Sequence, residues 1–123
     1  MSAPTVLVVE DDPTILQLLE VNFEMEGFDV LKATDGVVGL ELARIHSPDV
    51  IVSDVMMPNM SGIELVVALK DDPKTDSIPI LLLSAKAQGT DIRQGVTAGA
   101  DDYVTKPFEP LGLIDRVNVL LSR

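Results

Sequence analysis

The sequence predicts an α/β fold, a doubly wound five-stranded parallel sheet flanked by five helices. Three observations carry this. Short β-branched runs alternate with longer segments of helical period along the whole chain. The strand runs show no polar alternation, as expected when helices cover both faces of a parallel sheet. The 123 residues, 46% of them hydrophobic, are one domain's worth with enough apolar matter for a single sizeable core.

Thr5–Val9 (TVLVV) reads as the first buried strand. Asp12 followed by Pro13 reads as a helix N-cap with proline in the first helical position. The first helix runs over about 13–26, with Ile15, Leu16, Leu18, Leu19, Val21, Phe23 and Met25 on an apolar arc of roughly 220°. Gln17, Glu20 and Glu24 take the remainder. Packing on a sheet needs a stripe of ~100° or somewhat more, so apolar surface is left over. Leu16 and Val21, at the edges of the arc, are candidate partner contacts; packing against neighbouring helices is the stronger reading for Val21. Gly27 ends the helix in a left-handed conformation.

Phe28–Lys32 is the second strand and 36–46 the second helix, closed at Ser47-Pro48 because a residue before proline disfavours helical backbone. Val50–Ser53, Ile78–Leu83 and Asp102–Thr105 complete the strands. Helices over about 62–71, 90–98 and 109–121 follow them. The connections are short, without low-complexity linkers or internal repeats.

The composition excludes several functions. Twenty acids against nine bases, a net charge of −11, oppose nucleic-acid and anionic-membrane surfaces, which select for Lys and Arg. Without cysteine and with the single His46, disulfides, thiolate metal sites and histidine clusters are excluded. Aromatics at 3% oppose base stacking. The run Val6–Val9 is too short for a signal peptide, and no stretch reaches the ~20 apolar residues of a membrane span, so a cytoplasmic protein is expected. The charge is uneven: residues 1–62 carry net −9 and residues 63–123 net −2.

Much of that acidity gathers at strand ends. Glu10, Asp11 and Asp12 follow the first strand, and Asp54 follows Ser53 on the third. In an open parallel sheet ligands bind beyond the strand C-termini, where the strand order reverses. If the first and third strands are neighbours, Glu10, Asp11 and Asp54 share one small space, and crowded carboxylates need a cation. A hard divalent ion such as Mg²⁺ suits those oxygen ligands. Ser84 ends the run Ile80–Ser84 with a hydroxyl, and Lys106 brings an ammonium to the same edge. Together they can hold Mg²⁺ and a phosphoryl group. Singly each has a plainer reading: Asp12 is foremost a helix cap, Glu10 and Asp11 a solvated loop, Asp54 part of a turn with Pro58 and Asn59, and Lys106-Pro107 an exposed turn. Their joint placement at four strand ends favours the functional one.

Over essentially its whole length the chain resembles the receiver domain of two-component response regulators, the CheY-like family. The resemblance is carried by VLVVEDDP (6–13), DVMMPNMSG (54–62), LLLSAKA (81–87) and GADDYVTKPF (99–108), in order and at the family's spacing. It implies the flavodoxin-like strand order 2-1-3-4-5. It further implies a single receiver (response regulatory) domain over 1–123, with no output domain in this chain.

By resemblance, Asp54 is the phosphoacceptor, forming an aspartyl phosphate. Asp11 and Asp54 are Mg²⁺ ligands, Met56 offers its backbone carbonyl, and Glu10 reaches the ion through water. Ser84 and Tyr103 are the switch hydroxyl and aromatic, Lys106 pairs with the phosphoryl group, and the peptide bond before Pro107 is typically cis in the family. The implied donor is a sensor histidine kinase or a phosphotransfer domain. Phosphorylation would draw Ser84 toward the new oxygens, turn Tyr103 inward and repack the face of the fourth helix, fifth strand and fifth helix toward a downstream effector. A phosphorylation-dependent homodimer would be a further partner; direct nucleic-acid or membrane binding by this chain is not implied.

The sequence departs from the commonest pattern in three places. Glu10 stands where aspartate is more usual. Met56 and Lys86 lie near the approach of a hydrolytic water, which methionine cannot orient by hydrogen bonding, so self-dephosphorylation should be slow. Regulators with winged-helix outputs use a charged dimer face; Asp101, Asp102 and Arg116 fit it, whereas Ile92, Gln94 and Gly112 lack its charges.

The reading is thus a switch without an external turnover substrate. One alternative is a Mg-dependent aspartyl-phosphate phosphatase, which needs a second acid where Met56 stands. Another is an FMN-binding flavodoxin-like protein, which needs a hydroxyl- or glycine-rich phosphate loop after the first strand, where the acids at 10–12 would repel phosphate.

Overall fold

A computed structural model describes residues 3–85 and 89–123. Lys86 lies outside the described residues, as does the side chain of Ile92. Five strands, β1 (Thr5–Val9), β2 (Asp29–Ala33), β3 (Val50–Asp54), β4 (Ile80–Ala85) and β5 (Asp102–Lys106), form one parallel sheet in the order β2-β1-β3-β4-β5. Between and after them run α1 (Pro13–Met25), α2 (Gly36–His46), α3 (Gly62–Lys70), α4 (Gly89–Ala98) and α5 (Pro110–Leu121). The expected element sequence and strand order are found. β4 starts two residues later than Ile78 and runs on to Ala85, because Ile78 belongs to the preceding turn, its N–H bonded to Thr75 O.

Alternation along each strand builds two cores. Val6 and Val8 of β1 face one side with Leu19 and Phe23 of α1 and Leu113, Ile114, Val117 and Leu120 of α5. Leu7 and Val9 face the other with Ala43 of α2 and Leu65, Val66 and Leu69 of α3. The continuous apolar runs are therefore period-two strands whose two faces are both buried. Phe23 and Phe28 meet edge to face at 5.0 Å, fixing the exit of α1.

Helix ends follow local chemistry. Asp12 caps α1, its Oδ1 accepting from the N–H groups of Thr14 (2.9 Å) and Ile15 (3.4 Å). Gly27 has the expected positive φ, 89°. α2 also ends at Ser47, but through a left-handed residue (φ 47°) rather than an extended one. The leftover surface of α1 falls at one arc edge only: Leu16 packs against the core, while Val21, expected to pack against neighbouring helices, is 45% exposed in line with Leu18 and Met25. Among the described residues no helix is long and apolar enough to cross a membrane.

Candidate functional site

Register alone assembles the site. β1 pairs Val9 with Ser53, so Glu10 and Asp54 each lie one step beyond the same rung. β3 pairs Asp54 with Leu83, putting Ser84 one step farther, and β4 pairs Ser84 with Thr105, putting Lys106 one step beyond that. The chain winds from β1 to β2 on one side and returns to β3 on the other, so the gap between β1 and β3 is where the strand order reverses.

Glu10, Asp11 and Asp54 each offer a carboxylate oxygen, all within 4.8 Å of one another. Glu10 is fully buried, Asp54 nearly so, and Asp11 is exposed at the mouth. Lys106 Nζ donates to Glu10 Oε1 at 2.9 Å and lies 3.2 Å from Asp54 Oδ2. The Asp12 N–H donates to Glu10 Oε2 at 3.1 Å. Burial pushes the Glu10 carboxyl up to about 6, helped by the nearby Asp54 charge and opposed by the bonds from Lys106 and the Asp12 N–H. Burial works against the charge of Lys106, but its bond to Glu10 and the Asp54 and Glu10 carboxylates outweigh it and hold the ammonium above its ordinary range.

Among the described residues, three carboxylates against one lysine leave negative charge in a half-enclosed space. All the side-chain donors are oxygens and one is open to solvent, which fits a hard, partly hydrated divalent cation such as Mg²⁺. Ser84 is buried at the end of β4. Tyr103 lies on β5 and is 40% exposed. Lys106-Pro107 is a cis peptide, as the resemblance implied. Met56 follows β3 with an exposed side chain. Of the residues expected on a dimer face, Arg116 pairs with Asp102, its Nε at 2.8 Å and Nη2 at 2.6 Å. Asp101 instead accepts from the Ile80 N–H and pairs with Lys70.

Two groups of contacts lie outside the sequence reading. Ser61 and Glu64 form a capping box at α3, for which Ser-x-x-Glu was a readable signal. Asn59, read only as turn chemistry, has φ 69° and donates from Nδ2 to Asp35 Oδ2 at 2.8 Å. No local motif announces a bond between two loops.

Comparison with known proteins agrees with this geometry. The profile of the response regulator receiver domain matches residues 6–118, and the chain belongs to that family. It is 43% identical over 120 residues to the DNA-binding dual master transcriptional regulator RpaA of Synechocystis, covering 98% of this chain and 50% of that protein. The chain thus spans about half the length of the curated relatives it matches. Among solved structures, a putative response regulator from Chloroflexus aurantiacus superposes with TM-score 0.95 at 35% identity, covering 99% of this chain and 100% of that one. Chemotaxis protein CheY4 of Vibrio cholerae gives 0.91 at 32%, covering 97% and 99%. The chain is therefore a signalling domain of the two-component type.

Proposed function

We propose that Asp54 accepts a phosphoryl group from the phosphohistidine of a sensor histidine kinase or phosphotransfer domain. The observation that carries this is the convergence of Glu10, Asp11 and Asp54 within 4.8 Å, with Lys106 bonded into the cluster, in a receiver-domain chain. Bound Mg²⁺ would supply the positive charge that three carboxylates and an incoming phosphoryl group require. Asp11, Asp54 and the Met56 carbonyl would hold it directly and Glu10 through water. An Asp54 oxygen attacks phosphorus as the phosphorus–nitrogen bond to histidine breaks. Lys106 exchanges carboxylate partners for the new phosphoryl oxygens, and Ser84 donates a hydrogen bond to them. Tyr103 turns inward from its exposed position, repacking the α4-β5-α5 face toward an effector. With net charge −11, this chain is suited to protein partners and not to direct contact with nucleic acid.

At the place where a phosphatase would carry a second acid stands Met56, 68% exposed and without a proton to give. Nor can its side chain orient a water by hydrogen bonding, so the aspartyl phosphate should persist for minutes or longer. Incubation with Mg²⁺ and acetyl phosphate should add one phosphoryl group to the wild type and none to Asp54→Asn, by intact mass. Label on Asp54→Asn, steady turnover of phosphoesters, or a half-life of seconds would each overturn the corresponding part of this reading.

A further inference from the structure

We propose that Asp35 and Asn59 are a positioning pair for the loop that presents the Met56 carbonyl to the metal. The proposal rests on the reading, proposed above, of Glu10, Asp11, Asp54 and the Met56 carbonyl as a Mg²⁺ site. Neither residue is a ligand, and they come from different loops, Asp35 before α2 and Asn59 between β3 and α3.

The loop from Val55 to Ser61 is held at both ends. At its base the Gly62 N–H donates to Val55 O at 2.8 Å, and Gly62 packs so closely on the Asp54 carbonyl that no Cβ would fit. At its tip Asn59 reaches across to Asp35 Oδ2 at 2.8 Å, while Asp35 Oδ1 accepts from the Val38 N–H at 2.9 Å and so caps α2. Beside it, a Cβ on Gly36 would lie 2.5 Å from Met60 O, so backbone meets backbone where the loops touch. The Asp35 carboxyl is held below its ordinary range by the Val38 N–H first and the Asn59 amide second, so it stays ionised as an acceptor.

Met56 sits between these two anchorages, and its side chain is mostly solvent-exposed. A backbone ligand is only as well placed as its loop. Partners behind a ligand fix its orientation and through it the metal affinity. The left-handed φ of Asn59 adds a second requirement, which asparagine meets better than most residues.

The test separates hydrogen bond, backbone and cap. Asn59→Gly keeps the left-handed backbone and removes the amide. Asp35→Ser keeps a helix cap but is too short to reach Asn59. Mg²⁺ affinity is measured by calorimetry on the intact chain, the metal-free thermal midpoint in chelator, and the rate of acetyl phosphate uptake at saturating Mg²⁺. Each single variant should weaken Mg²⁺ binding about three- to tenfold, the worth of one hydrogen bond. The double variant should be no weaker than the worse single one. Uptake at saturating Mg²⁺ should match the wild type. Asn59→Gly at wild-type affinity, or fully additive losses in the double variant, overturns the pair's role. Changes confined to the metal-free midpoint overturn it too, since they mark a purely structural bond. Asp11→Asn is the control: if it still binds Mg²⁺ as the wild type does, the site reading itself falls, and the pair's role with it.

Discussion

A carboxylate with no exposed surface keeps its charge only where neighbours replace water, and at Glu10 they do so incompletely. Its folded pKa of about 6 lies above the ordinary 4.5, so the folded chain holds that proton more tightly than the unfolded one. The resulting stabilisation is complete below 4.5 and is lost as pH rises through 6, leaving the ionised side chain a cost of about 1–2 kcal/mol at neutral pH. In chelator, the stability of Glu10→Gln relative to wild type should therefore rise by about 1–2 kcal/mol between pH 4.5 and 7.5, read from urea midpoints. A flat difference across that range would show that Glu10 titrates normally. Mg²⁺ affinity in the wild type should fall as pH drops below about 6, where the proton competes with the ion for Glu10. The acids were legible because they cluster where apolar, β-branched runs end. Their ion pair with Lys106 was not: Glu10 and Lys106 are 96 positions apart, and only the combined register of β1, β3, β4 and β5 brings them together.

At the scale of elements, caps and strand ends were readable, and the facing of helices less so. Asp12-Pro13 and Gly27 announce their turns because the chemistry is local. The partners of Leu16 and Val21 depend on how α1 is rotated over the sheet, which a periodicity fixes only to within a side chain or so. Leu19 and Phe23 anchor that rotation, pulling Leu16 inward and leaving Leu18, Val21 and Met25 as an exposed line at helical spacing. An apolar line on an otherwise acidic helix suits a partner's apolar helix face. Val21→Glu should leave stability within about 0.5 kcal/mol and acetyl phosphate uptake unchanged, while slowing transfer from a phosphorylated kinase. Unaltered kinase transfer would remove α1 from the docking surface. Gly62→Ala tests the opposite extreme. Its Cβ would strike the Asp54 carbonyl, a backbone group that cannot swing away, so a loss of about 3 kcal/mol or failure to fold is expected by denaturant titration.

Across the whole molecule, the −11 charge separates into a diffuse share and a focused one, and Mg²⁺ distinguishes them. Acids such as Glu20, Asp72 and Asp102 have basic partners at the surface, Lys32, Arg44 and Arg116, where pairing contributes little and salt screens it. Among the described residues Glu10, Asp11 and Asp54 share one lysine, on a sheet edge whose geometry is set by two buried cores. Any salt should ease the diffuse repulsion a little, but only a cation that enters the cluster can bind the folded chain and not the unfolded one. At a free Mg²⁺ concentration 100 times its dissociation constant, that preference stabilises the fold by about 2.7 kcal/mol. For a domain of this size the thermal midpoint should then rise by about 10 °C over the chelated protein. Sodium chloride at matched ionic strength should give a small fraction of that shift, and Asp11→Asn should respond to both salts alike. If sodium chloride reproduces the Mg²⁺ shift, or Asp11→Asn keeps it, the focused share carries no ion and the stabilisation is screening of a −11 surface.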